Sequence, residues 1–254
     1  MAAGSVDVLA VVPARYASTR FPAKIITPLD GKPLVLHAFE RTRQATLVSD
    51  VIIATDDQRV VDAVRPYTDK VMLTRVDHAT GTDRIAEVAE RLSAEVIVNV
   101  QGDEALIDPN TIDAAIRPIL ERPDVVMSTA RHPLTEPEQI NSPNNVKVVC
   151  DAQGLALYFS RYPIPYVRDA GWGGETPQCH WQHIGLYVYR RDFLLAYARM
   201  PQTPLEQLEK LEQLRVLENG YKIAVVDTDY RAIGVDVPED LERVRAILEA
   251  NKEG

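Results

Sequence analysis

The sequence has few cysteines, and they lack the partners that disulfide or metal sites require. Cys150 and Cys179 are the two cysteines in 254 residues, and neither belongs to a CxxC pair or shows metal-type spacing. Cys150 ends an apolar run, where cysteine usually acts as a small buried hydrophobe. Cys179 stands beside His180 in a polar segment, which is a weak signal. We expect both thiols to be reduced and to have no chemical role.

Long apolar runs and an excess of positive charge are also missing. No apolar run is long enough to cross a bilayer, and Met1–Ser5 lacks the charged and apolar regions of a signal peptide. The 28 lysines and arginines are outnumbered by 37 acidic residues, giving a formal net charge of −9 at pH 7. Such a protein lacks the positive field that attracts nucleic acids and membrane surfaces. We therefore expect a cytoplasmic protein with no nucleic-acid partner and no membrane partner.

The sequence does contain a regular alternation of strand-like and helix-like segments. Apolar runs at Val6–Val12, Val51–Asp56 and Val96–Val100 predict strands, and Pro33–Arg41 has helical spacing. This alternation predicts an α/β fold, Rossmann-like, with a mostly parallel central sheet and helices on both faces. A chain that is 46% hydrophobic can bury one sizeable core, so we predict a single domain over residues 1–254.

The pattern changes in residues 146–190. Strand-like runs continue there, but the segment Tyr162–His180 is rich in proline and glycine. Long loops in compact domains tend to be lids, binding loops or subunit contacts, so we expect an excursion from the sheet. Further on, Leu205–Arg215 predicts one amphipathic helix that ends at Asn219 and Gly220.

A cationic segment follows the first predicted strand. No acidic residue occurs between Asp7 and Asp30, whereas Arg15, Arg20 and Lys24 all fall in this interval. The interval also contains no glycine, which excludes a Walker A loop and a dinucleotide fingerprint. Arginine and lysine at the carboxyl end of an early strand suit a polyphosphate ligand. On charge pattern alone, a solvated basic surface loop is an equal alternative.

Two aspartates are each predicted to follow a strand. Asp103 comes after Val96–Val100, and Asp236 lies shortly before a final helix that begins near Pro238. Because parallel strands end at one edge of the sheet, we expect both carboxylates to face the cationic segment, and such a pair suits Mg²⁺. A turn at Gly102 is the alternative role for Asp103. Capping of the final helix is the alternative for Asp236.

A third candidate segment is His78–Arg84, which is rich in small, turn-forming residues and precedes a helix. Its backbone amides could approach a flat ligand such as a nucleotide base. The spacing by itself favours a simpler role, in which Thr82 or Asp83 caps the helix.

These segments together resemble one enzyme family over nearly the whole chain. The matching stretches are Pro13–Arg20 with Pro22 and Lys24, Ala54–Asp56, Thr74–Arg75 with Asp77–His78, Gly81–Arg84, Asn99–Glu104, Ala156–Arg161, His183–Tyr187, Leu211–Arg215, and Gly234–Asp236 with Pro238–Leu241. They resemble the 3-deoxy-manno-octulosonate (Kdo) cytidylyltransferases, also called CMP-Kdo synthetases. Three positions depart from the family pattern: Phe21 replaces the usual leucine, Ala23 the usual glycine, and Ala105 the usual proline. Ala23 restricts the backbone more than glycine does, which bears on loop closure over phosphate.

The resemblance implies transfer of CMP from CTP to the anomeric hydroxyl of Kdo, with release of pyrophosphate, for lipopolysaccharide synthesis. It further implies CTP and Kdo as small-molecule partners, Mg²⁺ as cofactor, and a homodimer with a small sugar-binding and dimerisation lobe. By resemblance, the catalytic residues are Arg15, Lys24, Asp103 and Asp236, of which Asp103 and Asp236 hold the metal; CTP is bound by Arg15, Arg20, Lys24, Arg75, Thr80, Gly81 and Thr82; and the sugar is bound by Gln101, Arg161, His183, Tyr187, Glu212 and Gln213.

Two other functions stay open at the level of sequence. A cytidylyltransferase for another acidic sugar, either the 8-amino relative of Kdo or a sialic acid, would differ mainly in its sugar-side residues. A catalytically silent nucleotide-binding regulator is the second, and the intact Arg15, Lys24, Asp103 and Asp236 argue against it. The sequence also leaves open whether the sugar hydroxyl is activated by the metal, by Asp236 or by water.

Overall fold

A computed structural model describes residues 7–18, 20–78, 80–168 and 178–253. The strands are β1 (Val8–Pro13), β2 (Pro28–Leu29), β3 (Lys32–Pro33), β4 (Asp50–Thr55), β5 (Val71–Leu73), β6 (Val96–Asn99), β7 (Met127–Pro133), β8 (Lys147–Cys150), β9 (Ala156–Ser160), β10 (Trp181–Arg190) and β11 (Ile223–Asp227). The helices are α1 (Leu34–Thr42), α2 (Gln58–Val64), α3 (Gly81–Arg91), α4 (Pro109–Glu121), α5 (Pro137–Asn141), α6 (Arg191–Tyr197), α7 (Pro204–Glu209), α8 (Gln213–Glu218) and α9 (Pro238–Glu253), with a 3₁₀ turn at Lys24–Ile26. Thr19 of the cationic segment and the glycine-rich part of the predicted excursion lie outside the described residues.

A nine-stranded sheet has the order β11–β7–β10–β6–β1–β4–β5, with β8 joined to β10 and β9 to β8. The pairs β1–β4, β1–β6, β4–β5 and β7–β11 are parallel. Strand β10 runs antiparallel to β6 and β7, and β8 and β9 form an antiparallel hairpin. The Rossmann-like α/β fold is therefore confirmed. The departure from parallel order falls where the sequence pattern changes.

The alternation of side chains along β1 explains why this strand is apolar throughout. Val8, Ala10 and Val12 belong to a core shared with α1 and α4, whereas Leu9 and Val11 belong to a second core shared with α3 and α6. A strand buried on both faces has no position for a polar side chain. Helices therefore cover both faces of the sheet, as the sequence predicts.

The prediction of one amphipathic helix from Leu205 onward is wrong. Helix α7 ends where Lys210 adopts a left-handed conformation with φ of 55°, and α8 begins only at Gln213. Buried Glu206 and Arg215 form an ion pair that holds the two short helices together. The amphipathic spacing continues across the break because Leu211 and Leu214 both reach the core. Periodicity alone therefore could not reveal the turn.

A third apolar cluster lies beside the carboxyl edge of the sheet. Val235 and Leu241, before and within α9, pack with Leu29, Leu34 and Ala105. This packing fixes the segment that carries Asp236. Among the described residues, no helix has the length and apolar character needed to cross a membrane.

Candidate active site

A cleft of about 530 Å³ opens at the carboxyl ends of the neighbouring parallel strands β1 and β6. Ligands of open α/β sheets commonly bind at this edge, where the strand order changes direction. The predicted residues that line the cleft are Arg15, Arg20, Lys24, Thr80, Gly81, Gln101, Asp103, Glu212 and Asp236. The fold thus gathers parts of the chain that are far apart in sequence.

Gly102 brings Asp103 into the cleft. A Cβ atom at this position would lie 2.7 Å from the carbonyl oxygen of Pro13 and close to the side chains of Ile25 and Val35. Glycine is therefore needed for the segment after β6 to pass so near the end of β1. The next residue, Asp103, consequently lies within reach of the cationic segment.

Asp236 reaches the same place by a different route from the predicted one. The prediction that Asp236 follows a strand is wrong, because β11 ends at Asp227 and the chain is irregular up to α9. The backbone N–H of Val235 donates to the carbonyl oxygen of Asp103 at 3.2 Å, which ties the two segments together. The capping role predicted as an alternative belongs to Asp240, whose carboxylate accepts from the N–H groups of Asp236 and Val237.

Lys24 lies between the two carboxylates. Its Nζ is 2.6 Å from Oδ2 of Asp103 and 3.4 Å from Oδ1 of Asp236, and the Lys24 side chain is only 11% exposed. Arg20 adds a contact of 2.9 Å between its Nη2 and the same oxygen of Asp236. The two carboxylates thus converge on one cation.

This donor set fits Mg²⁺. The ion favours a few carboxylate oxygens together with water and substrate phosphate oxygens, rather than a complete cage of protein ligands. In the described part of the chain, no group of three or more His, Cys, Asp or Glu side chains is arranged to hold a metal. Asp103 and Asp236 are two carboxylates of the cleft that lie close enough together to contact one lysine.

Arg15 supplies an unused donor. It lines the cleft, and its Nη2 atom is buried without a hydrogen-bond partner among the described residues. A buried donor left unpaired is unfavourable, because it has lost water without gaining an acceptor. An anionic ligand in the cleft would satisfy this group.

Thr80 combines the two roles that the sequence left open for this segment, whereas the prediction that Thr82 caps the helix is wrong, because the N-cap residue is Thr80. The Thr80 hydroxyl and the Asp83 carboxylate each accept from the other residue's backbone N–H, so they form a capping box at the start of α3. Thr80 and Gly81 also line the cleft, while buried Thr82 donates to Oε2 of Glu212 at 2.6 Å. Helix capping and contact with the cleft are therefore compatible.

Arg75 does not line this cleft. Its side chain is 67% exposed and pairs with Asp77, beside a separate pocket of about 410 Å³ between α3 and α6. Its backbone N–H donates to Glu87, which also contacts His78. The structure thus separates Arg75 from the other residues predicted to bind CTP.

A second cavity of about 240 Å³ adjoins the cleft and shares Gly81, Gln101 and Glu212 with it. Predicted sugar-side residues Tyr187 and Gln213 line this second cavity. The Tyr187 hydroxyl donates to Oε1 of Gln213 at 3.4 Å. The Nε2 atom of Gln213 is buried without a partner among the described residues, so it remains free for a hydroxyl or carboxylate oxygen.

Glu212 is a partly buried carboxyl group that lines both cavities. Burial raises its pKa, which the hydrogen bond from Thr82 and the charge of Arg215 partly oppose. Glu212 lies in the turn between α7 and α8, and this turn directs its side chain toward the two cavities.

His183 and Arg161 line neither cavity. His183 packs edge-on against Phe159 and contacts Thr129 Oγ1 at 2.9 Å through Nε2, and burial lowers its pKa to about 3. The Arg161 guanidinium donates to the backbone carbonyls of Glu209 and Pro143, at 2.7 Å and 3.0 Å. In this structure Arg161 therefore supports the α7–α8 turn instead of presenting its charge to a ligand.

Comparison with known proteins agrees with this architecture. The cytidylyltransferase family pattern matches residues 9–223. The 3-deoxy-manno-octulosonate cytidylyltransferase of Solibacter usitatus is 52% identical over 96% of this chain and 95% of its own length. That of Geobacter sulfurreducens is 53% identical over 94% of this chain and 98% of its own. The chain belongs to the 3-deoxy-manno-octulosonate cytidylyltransferase family.

Solved structures place this family member in the same fold. A CMP:2-keto-3-deoxy-manno-octonic acid synthetase complexed with CTP has a TM-score of 0.91 and 38% identity, over 96% of this chain and 99% of that one. A 4-diphosphocytidyl-2C-methyl-D-erythritol synthase from Anaerococcus prevotii has a TM-score of 0.61 at 13% identity, over 96% of this chain and 97% of its own, and shares the fold alone. The family resemblance and the enzyme class expected from the sequence are confirmed.

Reasoning from sequence missed two features around the site of this cytidylyltransferase. Arg84 is fully buried and donates to Asp56 at 2.7 Å and to Thr74 at 2.5 Å, which joins α3 to the exits of β4 and β5. Glu104 is partly buried, and removal from water raises its pKa to about 7 although Tyr230 donates a hydrogen bond to it. Both residues lie in matching stretches, but neither has a local pattern that predicts burial.

Proposed function

We propose that this chain transfers CMP from CTP to the anomeric hydroxyl of Kdo, giving CMP-Kdo and pyrophosphate for lipopolysaccharide biosynthesis. The observation that carries the proposal is the convergence of Arg15, Arg20 and Lys24 with Asp103 and Asp236 in one cleft. That cleft adjoins a smaller polar cavity of about 240 Å³. The two spaces share a wall formed by Gly81, Gln101 and Glu212. A nucleoside triphosphate in the cleft and an acidic sugar in the cavity would thus meet at this wall. A cytoplasmic location, where CTP is available, accompanies this proposal.

The reaction requires positioning and charge neutralisation more than covalent chemistry. The sugar hydroxyl oxygen forms a bond to the α-phosphorus of CTP, the bond to the departing pyrophosphate breaks, and the hydroxyl proton passes to water. Arg15 and Arg20 stabilise the negative charge on the phosphate oxygens. Lys24 also stabilises the negative charge on the phosphate oxygens once it no longer contacts Asp103 and Asp236.

Asp103 and Asp236 would hold Mg²⁺ in this reaction. A bound Mg²⁺ would supply a positive charge beside the phosphate oxygens and orient them. On the sugar side, Gln101, Tyr187, Glu212 and Gln213 line the second cavity and offer donors and acceptors to sugar hydroxyls. His183 supports Tyr187, since their ring centroids lie 5.3 Å apart.

A homodimer is part of the same proposal. Leu157, Tyr162 and Tyr166, on β9 and the segment after it, are 62%, 75% and 85% exposed. Exposed apolar side chains that lie close together in the chain are typical of a subunit contact. Light scattering coupled to size-exclusion chromatography should give twice the mass of one chain, and a single-chain mass at micromolar concentration would contradict the dimer.

The test of the proposed function is pyrophosphate release from CTP with Mg²⁺ and Kdo, beside matched reactions with 8-amino-Kdo or sialic acid. We expect Mg²⁺-dependent release with Kdo. Preference for another acidic sugar would leave the nucleotide site in place and change the sugar. No release with any of them would overturn the proposed reaction.

Asp103→Asn tests the metal assignment. Asparagine has nearly the same shape but no charge, so turnover should fall at least about a hundredfold, while the thermal midpoint stays within a few degrees. Arg65→Ala serves as the surface control, because Arg65 is exposed and lies at the C-terminal end of α2. Near-normal turnover by Asp103→Asn would remove this residue from the metal site.

A further inference from the structure

Arg59 contacts the cationic segment from outside the cleft. It lies in the first turn of α2, and its Cζ atom is 3.5 Å from the centroid of the Tyr16 ring. A guanidinium plane stacked on an aromatic face is attracted by the negative face of the ring. Tyr16 is the residue between Arg15 and Ala17, both of which line the cleft.

Asp57 fixes the orientation of this guanidinium. Its Oδ1 and Oδ2 atoms accept from Arg59 Nε at 2.8 Å and from Nη2 at 2.5 Å, which is a bidentate geometry. The same carboxylate caps α2 by accepting the Arg59 backbone N–H at 2.9 Å. The hydrogen bonds from Arg59 lower the pKa of Asp57 to about 2, so the pair stays ionised at neutral pH.

The Tyr16 ring is consequently held on two sides. It packs against the core beneath α1 and α4, and Arg59 covers it from α2. The backbone on either side of the ring leads directly to residues of the cleft. Among these is Arg15, whose buried Nη2 atom lacks a partner among the described residues.

We propose that Arg59 is a positioning residue, which acts through Tyr16 to hold Arg15 in the orientation that receives the triphosphate of CTP. This inference rests on the proposed function. Arg59 does not line the cleft. Its removal leaves the chemical groups of the cleft unchanged but lets the Tyr16 segment move, so that part of the CTP binding energy is used to restore its position.

The experiment compares Arg59→Ala with the parent enzyme in steady-state kinetics and in direct CTP binding. A cation–π contact at a partly exposed site is modest, so we expect KM and Kd for CTP to rise roughly two- to fivefold. The value of kcat and the KM for the sugar should stay near those of the parent. Arg65→Ala removes an exposed arginine at the end of the same helix and should leave all of these quantities unchanged.

A double-mutant cycle separates positioning from simple structural support. Tyr16→Phe keeps the ring face and should bind CTP nearly as the parent does, whereas Tyr16→Leu should weaken binding as Arg59→Ala does. The Arg59→Ala/Tyr16→Leu double variant should show little further loss, because both changes break one contact.

Three results would overturn the inference: additive losses in that cycle, a lowered thermal midpoint with unchanged CTP binding, or an Arg59→Ala variant that binds CTP like the parent. An inactive parent enzyme would instead overturn the proposed function, and CTP binding measured directly would still test Arg59.

Discussion

Ala23 shows how one backbone angle bears on stability. It precedes the 3₁₀ turn that carries Lys24, and its φ and ψ are 58° and 18°, in the left-handed region. An L-residue with a side chain is disfavoured there, whereas glycine is not. The sequence comparison with the Kdo cytidylyltransferases identified this position as a departure, and the structure shows why glycine suits it.

We predict that Ala23→Gly raises the free energy of unfolding by roughly 0.5–1 kcal/mol, because the relief of strain exceeds the added entropy of the unfolded chain. Urea denaturation measures this difference. Ala17→Gly in the same segment, where φ is not positive, should destabilise by a similar amount. A loss of stability in Ala23→Gly would contradict the argument.

His183 makes the stability depend on pH. Burial lowers its pKa from 6.5 to about 3, so the unfolded chain takes up a proton at mildly acidic pH that the folded chain excludes. Stability from this residue is complete above pH 6.5, decreases as the pH falls, and by pH 5 has dropped by about 2 kcal/mol.

His183→Gln has no titrating group at this position. The loss of unfolding free energy between pH 7.5 and pH 5 should therefore be smaller in this variant than in the parent by about 2 kcal/mol. Equal losses in the two proteins would show that His183 is accessible to protons in the folded state. Arg161→Lys is the control variant: it keeps His183, so its loss of unfolding free energy between pH 7.5 and pH 5 should equal that of the parent.

The α7–α8 pair shows what holds two short helices in place. Arg215 donates to both carboxylate oxygens of Glu206, to the backbone carbonyl of Met200 at 3.1 Å, and stacks over Tyr197. Both members of the pair are buried, so removal of one charge leaves the other unpaired.

Glu206→Gln should therefore destabilise the protein by about 3 kcal/mol in urea denaturation. The double variant Glu206→Leu/Arg215→Met, which removes both charges, should be more stable than the single variant. A double variant that is the less stable of the two would show that the unpaired charge of Arg215 is not the cause of the loss in Glu206→Gln.

At the scale of elements, the sequence predicts what local pattern determines. The apolar run of β1 produces the expected strand, and Asp83 takes part in capping α3 as predicted, although the N-cap residue is Thr80 and not Thr82. The break at Lys210 and the irregular path to Asp236 depend on contacts with distant residues, which no local pattern contains. Arg161 and His183 were assigned by resemblance, and the surrounding carbonyls and rings turn both of them away from the cavities.

At the scale of the whole molecule, Lys24 joins three distant parts of the chain. Its contacts with Asp103 and Asp236 span 79 and 212 residues of sequence. The ammonium group neutralises two carboxylates that would otherwise repel one another at close range. A divalent cation arriving without nucleotide would have to displace it.

We predict that Lys24→Met responds to Mg²⁺ more strongly than the parent does. Without Lys24, Arg20 at Asp236 is the remaining cation beside the two carboxylates. Millimolar Mg²⁺ in the absence of CTP should therefore raise the thermal midpoint of the variant by several degrees and that of the parent by little. Ca²⁺ provides a second hard cation for comparison. An equal response of both proteins would show that Lys24 does not compete with the metal.

The shared wall between the two cavities has a consequence for redesign of the sugar preference. Gly81, Gln101 and Glu212 face both spaces, whereas Tyr187 and Gln213 border only the smaller one. Under the proposed function, a substitution in this wall would alter the affinities for CTP and for the sugar together. Variant libraries confined to Tyr187 and Gln213 would therefore change which sugar is accepted while the affinity for CTP is kept.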